Sequence, residues 1–393
     1  MMEEIQADES IEQYLHEALI SCEKCHLCNT VCPVLGTRVS QGPFGINRAI
    51  YYGLKWNRFD QKLRDLVYSC TTCGKCVSMC SNVSRALPLV EIFEKARELL
   101  LVDKMLGPMP DQVSVLKNMH VRGNPWGYPP HERTHWADGL NITFASKEKS
   151  VDVLYFVGCA CSYDPRAQKI AKDFSSILEK AGINFGILEK ETCSGHEARR
   201  MGETGLFQVL SEANTAMFNE AGIRHIVTTD PHDFYSFTQD YADQKDSPKV
   251  QHSTQFINDL IDEGKLKLVA KVDKKVTYHD PCYLGRRSKV LEEPRKLLGR
   301  IPGINFVEME NSGVDSDCCG MGGGRMWMEP PRTLVSSQSI AQKRVQQALH
   351  TGAEILVTAC PFCNITLKDA VNALEKEDVL EVMDITTLAS QSL

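Results

Sequence analysis

Cys22-Glu23-Lys24-Cys25-His26-Leu27-Cys28-Asn29-Thr30-Val31-Cys32-Pro33 carries four thiols in the pattern C-x2-C-x2-C-x3-C-P. The stretch Cys70-Thr71-Thr72-Cys73-Gly74-Lys75-Cys76-Val77-Ser78-Met79-Cys80-Ser81 repeats the spacing, with Ser81 in the place of the proline. Two-residue gaps let three thiolates converge on one face of an iron–sulfur cubane, while the looping amides can hydrogen-bond its sulfides. The competing reading is a pair of four-thiolate zinc sites. Zinc ribbons present two C-x2-C pairs, however, and not two complete runs of this form.

In two-cluster ferredoxins the fourth cysteine of each run ligates the other cluster. The expected [4Fe-4S] sets are therefore Cys22, Cys25 and Cys28 with Cys80, and Cys70, Cys73 and Cys76 with Cys32. The 37 residues between Cys32 and Cys70 exceed the separation in small bacterial ferredoxins and contain helix-like stretches. The segment resembles the helical ferredoxin module of fumarate reductase iron–sulfur subunits.

Outward from these runs, the rest of the chain narrows the class. Sixteen cysteines in 393 residues, tightly clustered, fit metal ligation better than disulfides in a chain expected to be cytoplasmic, where thiols stay reduced. The acidic start Met1-Met2-Glu3-Glu4-Ile5 lacks the basic-then-apolar pattern of a secretory signal. No apolar run approaches the roughly eighteen residues of a membrane span. The expectation is a cytoplasmic chain, with peripheral docking on a membrane complex as the variant. A net charge of −7, spread along the sequence, argues against a nucleic-acid partner.

The fold class expected is α+β and multidomain: a helical two-[4Fe-4S] ferredoxin domain over 1–101, an ordered linker over 102–150, then duplicated α/β cysteine-rich domains over 151–270 and 271–393. Ile11 to Ile20 and Pro88 to Leu101 read as helices of the first domain. The linker is irregular and rich in proline, with Pro108, Pro110, Pro125, Pro129 and Pro130. Beyond it, strand-like runs Val151 to Val157, Ile183 to Leu188 and Ile226 to Thr229 alternate with helical patterns at Ala167 to Lys180 and Leu206 to Glu220. That alternation signals a largely parallel sheet.

The α/β part repeats itself. Phe156-Val157-Gly158-Cys159 answers to His279-Asp280-Pro281-Cys282, and Thr192-Cys193-Ser194-Gly195 to Asp317-Cys318-Cys319-Gly320. Thr229-Asp230-Pro231-His232-Asp233 answers to Ala359-Cys360-Pro361-Phe362-Cys363. The offsets of 123, 125 and 130 residues keep one order and similar spacing. The motifs of the second copy resemble the cysteine-rich (CCG) domain of heterodisulfide reductases and glycolate oxidase iron–sulfur subunits, most clearly over Tyr278 to Gly285 and Cys318 to Trp327. Two-cluster ferredoxin followed by two such domains is the family's layout, so the resemblance covers essentially the whole chain.

That resemblance implies a noncubane [4Fe-4S] cluster on Cys282, Cys318, Cys319, Cys360 and Cys363. Independently of it, thiols at the carboxyl ends of adjacent α/β strands are placed to converge. Zinc on four of them and buried free thiols are the alternatives. Gly320, Gly322, Gly323 and Gly324 lack a following Lys-Ser/Thr and read as backbone packed against a cluster, not a phosphate loop. The first copy departs from the pattern: Ser194 stands at the second thiol of the pair, and Asp230 and Asp233 at the closing C-x2-C. Hard carboxylates replace thiolates poorly on an iron–sulfur core. This copy reads as a structural half that has lost its cluster, or as a residual metal site of Cys159, Cys193, Asp230 and Asp233; Cys161 has no counterpart.

One complete motif where paired motifs would act together on a disulfide points to an electron-transfer subunit of an anaerobic oxidoreductase complex. Its expected partners are other redox subunits: a flavoprotein, an electron-transfer flavoprotein with an acyl-CoA dehydrogenase, or a larger reductase of the benzoyl-CoA reductase type. The alternative is a disulfide reductase acting at the C-terminal cluster, in which His279 and Asp280 deliver protons; the plainer reading makes them partners that orient the ligands. A zinc-stabilised interaction protein conflicts with the ferredoxin spacing. No G-x-G-x-x-G opens a helix after a strand, so neither flavin nor NAD is expected in this chain.

Overall fold

The computed structural model describes residues 12, 13, 15, 19, 22, 25–35, 41–81, 87–241, 247–328 and 339–393. The chain forms two compact units built from interleaved segments. One comprises Met1–Ser114, Glu197–Gly205 and Gly320–Gln338, the other Val115–His196, Leu206–Cys319 and Ser339–Leu393.

The first unit is helical. Helices Gly42–Lys55, Gln61–Tyr68, Lys75–Ser81 and Leu89–Glu98 carry it. Of the stretch Ile11 to Ile20, only Glu12, Gln13, Leu15 and Leu19 are described, and these four are helical. Apolar residues at helical spacing close its core: Phe44, Ile46 and Ile50 from one helix, Leu63, Leu66 and Val67 from the next, and Leu89, Ile92, Phe93 and Ala96 from the last. Asp60 caps Gln61–Tyr68 by accepting from the Leu63 amide at 3.0 Å, an interaction worth about 1 kcal/mol.

Arg97 is fully buried in this unit, and its guanidinium donates to the carbonyls of Val67, Cys70, Arg200 and Gly323. A buried cation held by four carbonyls through its two terminal nitrogens fixes the loop that leads into the second cysteine run. The glycine run is a close-approach device. A Cβ on Gly322 would lie 2.5 Å from the Thr71 carbonyl oxygen, and one on Gly323 2.6 Å from that of Cys70. The glycines thus pack on the loop that carries Cys70.

The second unit contains two parallel sheets. β1 (Thr143–Phe144), β2 (Val153–Phe156), β3 (Phe185–Ile187), β4 (His225–Thr228) and β5 (Lys249–His252) form the first, in the order β1-β3-β2-β4-β5. β6 (Lys275–Tyr278), β7 (Asn305–Phe306), β8 (Ile355–Thr358) and β9 (Glu381–Asp384) form the second, in the order β7-β6-β8-β9. Without the added edge strand β1, the two orders are the same, so the repeat in the sequence is a repeat of topology. β2 and β8 are buried along their whole length, as strands covered on both faces are.

The segment 102–150 is less irregular than its prolines suggest. It holds the helix Pro110–Arg122 and a 3-10 turn at Pro130–Ala137, and it supplies β1 to the first sheet. Proline occupies the first helical position in both, where its missing N–H costs nothing.

Candidate metal centres

Sheet order places the C-terminal site. β6 and β8 are neighbours, and both run parallel, so the residues after Tyr278 and after Thr358 emerge side by side. Cys282 follows β6, while Cys360 caps the helix Pro361–Ala373, its Sγ accepting from the Cys363 amide at 3.4 Å. The Sγ atoms of Cys363 and Cys319 are 3.5 Å apart. All five thiols, Cys282, Cys318, Cys319, Cys360 and Cys363, are buried.

A ring nitrogen of His279 and the Sγ atoms of Cys319 and Cys363 all lie within 4.8 Å of one another. Hydrogen bonds from Cys318 and Cys363, together with His279, hold the Cys319 thiol well below its usual range against the opposing effect of burial. Its partner Cys363 is pushed well up, first by the bonds to Cys319 and Cys360 and then by burial. A thiolate-rich pocket of this kind is what a thiophilic metal centre requires.

The environment of the thiols is itself built. Arg344, fully buried, donates from Nε to His279 Nδ1 at 3.1 Å, from Nη1 to Asn311 O at 2.9 Å and from Nη2 to Ser316 Oγ at 3.0 Å. Burial draws its pKa down to about 10. Asp280 is held by Arg295 at 2.7 and 3.0 Å and accepts from the Gly313 amide at 2.8 Å. It braces the loop toward Cys318. The fit to a cluster has a direct sign: His279 Nε2 is buried with no nitrogen or oxygen partner, and the ring stands beside the thiols of Cys319 and Cys363. An orphaned donor beside thiol sulfurs is satisfied by a thiolate or a bridging sulfide.

The corresponding place in the N-terminal repeat is filled by protein. Arg133, from the turn Pro130–Ala137, reaches Cys159 Sγ with Nη1 at 3.4 Å. Its Nε and Nη2 donate to Glu191 Oε1 at 3.0 and 2.5 Å. Glu191 in turn accepts from the amides of Val157 and Gly158, each at 3.1 Å. Burial works against ionising Cys159, but the Cys193 hydrogen bond and Arg133 outweigh it and lower its pKa. Asp233 is pushed well up by burial and by Asp230. Cys161 stands apart, 3.8 Å from Thr229 Oγ1.

Cys159, Cys193, Asp230 and Asp233, the alternative metal site of this copy, form no donor group among the described residues. Among the described residues, the N-terminal donors that join a group are Asp230 and His232, and they do so with Cys360 of the other repeat. Asp230 Oδ1 is 2.8 Å from His232 Nδ1, which lies 4.0 Å from Cys360 Sγ. Burial opposes protonation of His232, but Asp230 and Cys360 prevail and raise its pKa. His232 also meets Phe362 edge-on at 5.1 Å, and Phe362 is its counterpart in the duplicated motif. Sequence reading passed over Arg133, Glu191, His232 and Arg344. Only His232 carried a signal, its place inside the repeated motif.

In the helical unit, the electrostatic neighbours of the first eight cysteines sort crosswise. Cys28 is pushed up to about 11 by burial and then by the charges of Cys22, Cys25 and Cys80. Cys32 is pushed up to about 12 by burial and then by Cys70 and Cys73. The fourth cysteine of each run therefore sits with thiols of the other. Asn47 Nδ2 donates to Cys22 Sγ at 3.3 Å, and the Thr72 amide to Cys70 Sγ at 3.3 Å. Thr72 adopts φ +53° and Gly74 φ +76°, which curls this loop so that its amides face the sulfurs.

Comparison with known proteins agrees with these arrangements. Residues 17–83 match the 4Fe-4S dicluster domain, and residues 153–237 and 276–368 match the cysteine-rich (CCG) domain. The chain is 36% identical over 335 residues to "Probable iron-sulfur-binding oxidoreductase FadF" of Bacillus subtilis, covering 83% of this chain and 46% of that protein. It is 33% identical to the EtfAB:quinone oxidoreductase of Syntrophomonas wolfei, covering 82% of this chain and 46% of the relative. It spans about half the length of these two. Against a subunit of the dihydromethanophenazine:CoB–CoM heterodisulfide reductase of Methanosarcina acetivorans it is 33% identical over 402 residues, covering 95% of this chain and 94% of the relative. These matches support iron–sulfur clusters as the cofactors.

Proposed function

The chain belongs to the family of dicluster and cysteine-rich iron–sulfur proteins that includes this heterodisulfide reductase subunit, and from that premise we propose that it is the electron-transfer subunit of an oxidoreductase complex. Two [4Fe-4S] cubanes sit on Cys22, Cys25, Cys28 and Cys80 and on Cys70, Cys73, Cys76 and Cys32, within a ferredoxin domain over 1–101. A third, noncubane cluster sits on Cys282, Cys318, Cys319, Cys360 and Cys363 in the domain over 271–393, and the domain over 151–270 holds none. When bound, these clusters supply one-electron carriers. The chain's own residues hold the thiolates, donate hydrogen bonds to them and keep water from the buried C-terminal site.

The observation that carries this reading is the asymmetry of the repeats. Five thiols gather in one copy, while the Arg133–Glu191 ion pair lies against Cys159 in the other. A single cluster of this type can relay electrons, whereas paired clusters acting on one disulfide need both sites. The partners proposed are redox subunits, with a flavoprotein foremost because one relative is named for electron-transfer flavoprotein and quinone. No described helix is long and apolar enough to cross a membrane. We place the chain in the cytoplasm, docked peripherally on a membrane complex when its acceptor is a quinone.

Anaerobic purification tests the cofactor set: about twelve irons per chain are expected for three clusters. About eight irons with one zinc would remove the third cluster. Native co-purification tests the partner, and recovery of a flavoprotein is the expected result. A second reading, disulfide reduction at the C-terminal cluster, is favoured by the near full-length match to the heterodisulfide reductase subunit. It requires a paramagnetic signal that appears when thiol is added to the oxidised protein, and the relay reading predicts none.

A further inference from the structure

His279 follows β6, its amide donating to the Val357 carbonyl at 2.9 Å, and the residue is 1% exposed. Its two ring nitrogens have different fates. Nδ1 accepts from Arg344 Nε at 3.1 Å. A guanidinium nitrogen is always a donor, so Nδ1 carries no proton and the ring proton resides on Nε2. Nε2–H is therefore a fixed donor, and it is buried with no nitrogen or oxygen partner. The ring stands with Cys319 and Cys363, whose sulfurs are 3.5 Å apart.

Arg344 is locked in turn. Its remaining nitrogens are held by Asn311 O, Gln347 Oε1 and Ser316 Oγ, so the tautomer of His279 is set by the scaffold around this arginine. A buried donor without a nitrogen or oxygen partner is met by the sulfur beside it. We propose that His279 is the residue that sets the reduction potential of the C-terminal cluster, by donating Nε2–H to sulfur at the Cys319–Cys363 edge, with Arg344 as the positioning residue that holds its tautomer. The inference rests on the third cluster proposed above. Because a hydrogen bond to sulfur strengthens as negative charge builds on the cluster, it favours the reduced state and raises the potential.

The test uses the full chain purified anaerobically, with iron counted first and the midpoint potential of the C-terminal cluster followed by EPR. His279→Leu, which removes the donor, is expected to weaken reduction about tenfold, 59 mV for one electron, with both cubane signals unmoved. His279→Gln, which restores an N–H, is expected to recover most of that shift. In the wild type, histidine labelled with 15N should give a weak coupling to the cluster, together with an exchangeable proton that vanishes in D2O. That spectrum decides the matter even where His279→Leu does not fold. A change of less than twofold, about 18 mV, in His279→Leu would overturn the inference. So would a strong 15N coupling, which would make His279 an iron ligand. An iron count of about eight in the wild type would instead remove the cluster itself, and both readings with it.

Discussion

The two cysteine-rich repeats share strand order and the place of their motifs, yet one gathers thiols and the other gathers charge. In the C-terminal copy, Cys360 caps its helix and Cys363 turns toward Cys319. In the N-terminal copy, Asp230 caps the equivalent helix and Asp233 packs against the Gly158 backbone, which is held at φ +74°. The cap is a backbone requirement that a thiolate or a carboxylate meets equally, so the fold survived the exchange. Metal chemistry is less permissive, because a soft core needs soft donors. The Arg133–Glu191 pair, with side chains 3% and 2% exposed, now fills this copy with a neutralised and fully bonded ion pair. One repeat gathers five buried thiols; in the other Arg133 lies against Cys159, and His232 is turned toward Cys360.

The largest effects should come from deleting thiols one repeat at a time. Cys360→Ala is expected to release about four of about twelve irons per chain, whereas Cys193→Ser should leave the count unchanged. Iron analysis beside the cubane EPR signals reads both, and an iron loss in Cys193→Ser would break the comparison. Next in size is the ion pair. Arg133→Met strands Glu191 in the interior and should cost about 3–5 kcal/mol in urea unfolding. The double variant Arg133→Met/Glu191→Gln should recover much of that. Equal losses in the single and double variants would show that packing, and not charge, fills the site.

Two equivalent caps sharpen the comparison through pH. β5 ends on His252 and β9 on Asp384, each capping the helix that follows. Burial raises the Asp384 carboxyl to about 7, so the folded chain holds a proton there that the unfolded chain has released. Its contribution is present below the ordinary carboxylate range and is lost as pH rises toward 7. By about 1.4 kcal/mol per unit, the loss is at most about 4 kcal/mol. Asp384→Asn should therefore stabilise the protein at pH 8 and leave it unchanged near pH 4.

His252 has the opposite sign. Burial lowers it to about 4, so the folded chain keeps it neutral while the unfolded chain binds a proton. Its contribution is present above about pH 6.5 and is lost as pH falls toward 4, at most about 3 kcal/mol. His252→Gln, which keeps an acceptor for the Thr254 amide, should flatten the acid limb of thermal unfolding. A pair of variants with slopes of the same sign would contradict the burial of these two caps.

Much of the site was legible because cysteine spacing is a local property. Two C-x2-C-x2-C-x3-C runs set how thiolates curl around a core within a dozen residues, and the exchange of fourth ligands follows from having two of them. The repeat was legible for the same reason, since strand-end motifs recur at nearly constant offset. Helix and strand positions followed from apolar periodicity and differ from the observed ends by up to about three residues, as frayed ends do.

What the sequence by itself determined is thus the donor inventory: thirteen thiols in cluster patterns, and a first repeat with carboxylates where thiols belong. The tertiary structure alone decided what replaced the missing centre and what surrounds the surviving one. Arg133 meets Cys159 across 26 residues, and Arg344 meets His279 across 65. No local pattern marks such pairs, because a buried guanidinium is tolerated only where carbonyls, a carboxylate or an imidazole converge on it, and that convergence exists only once the chain has folded.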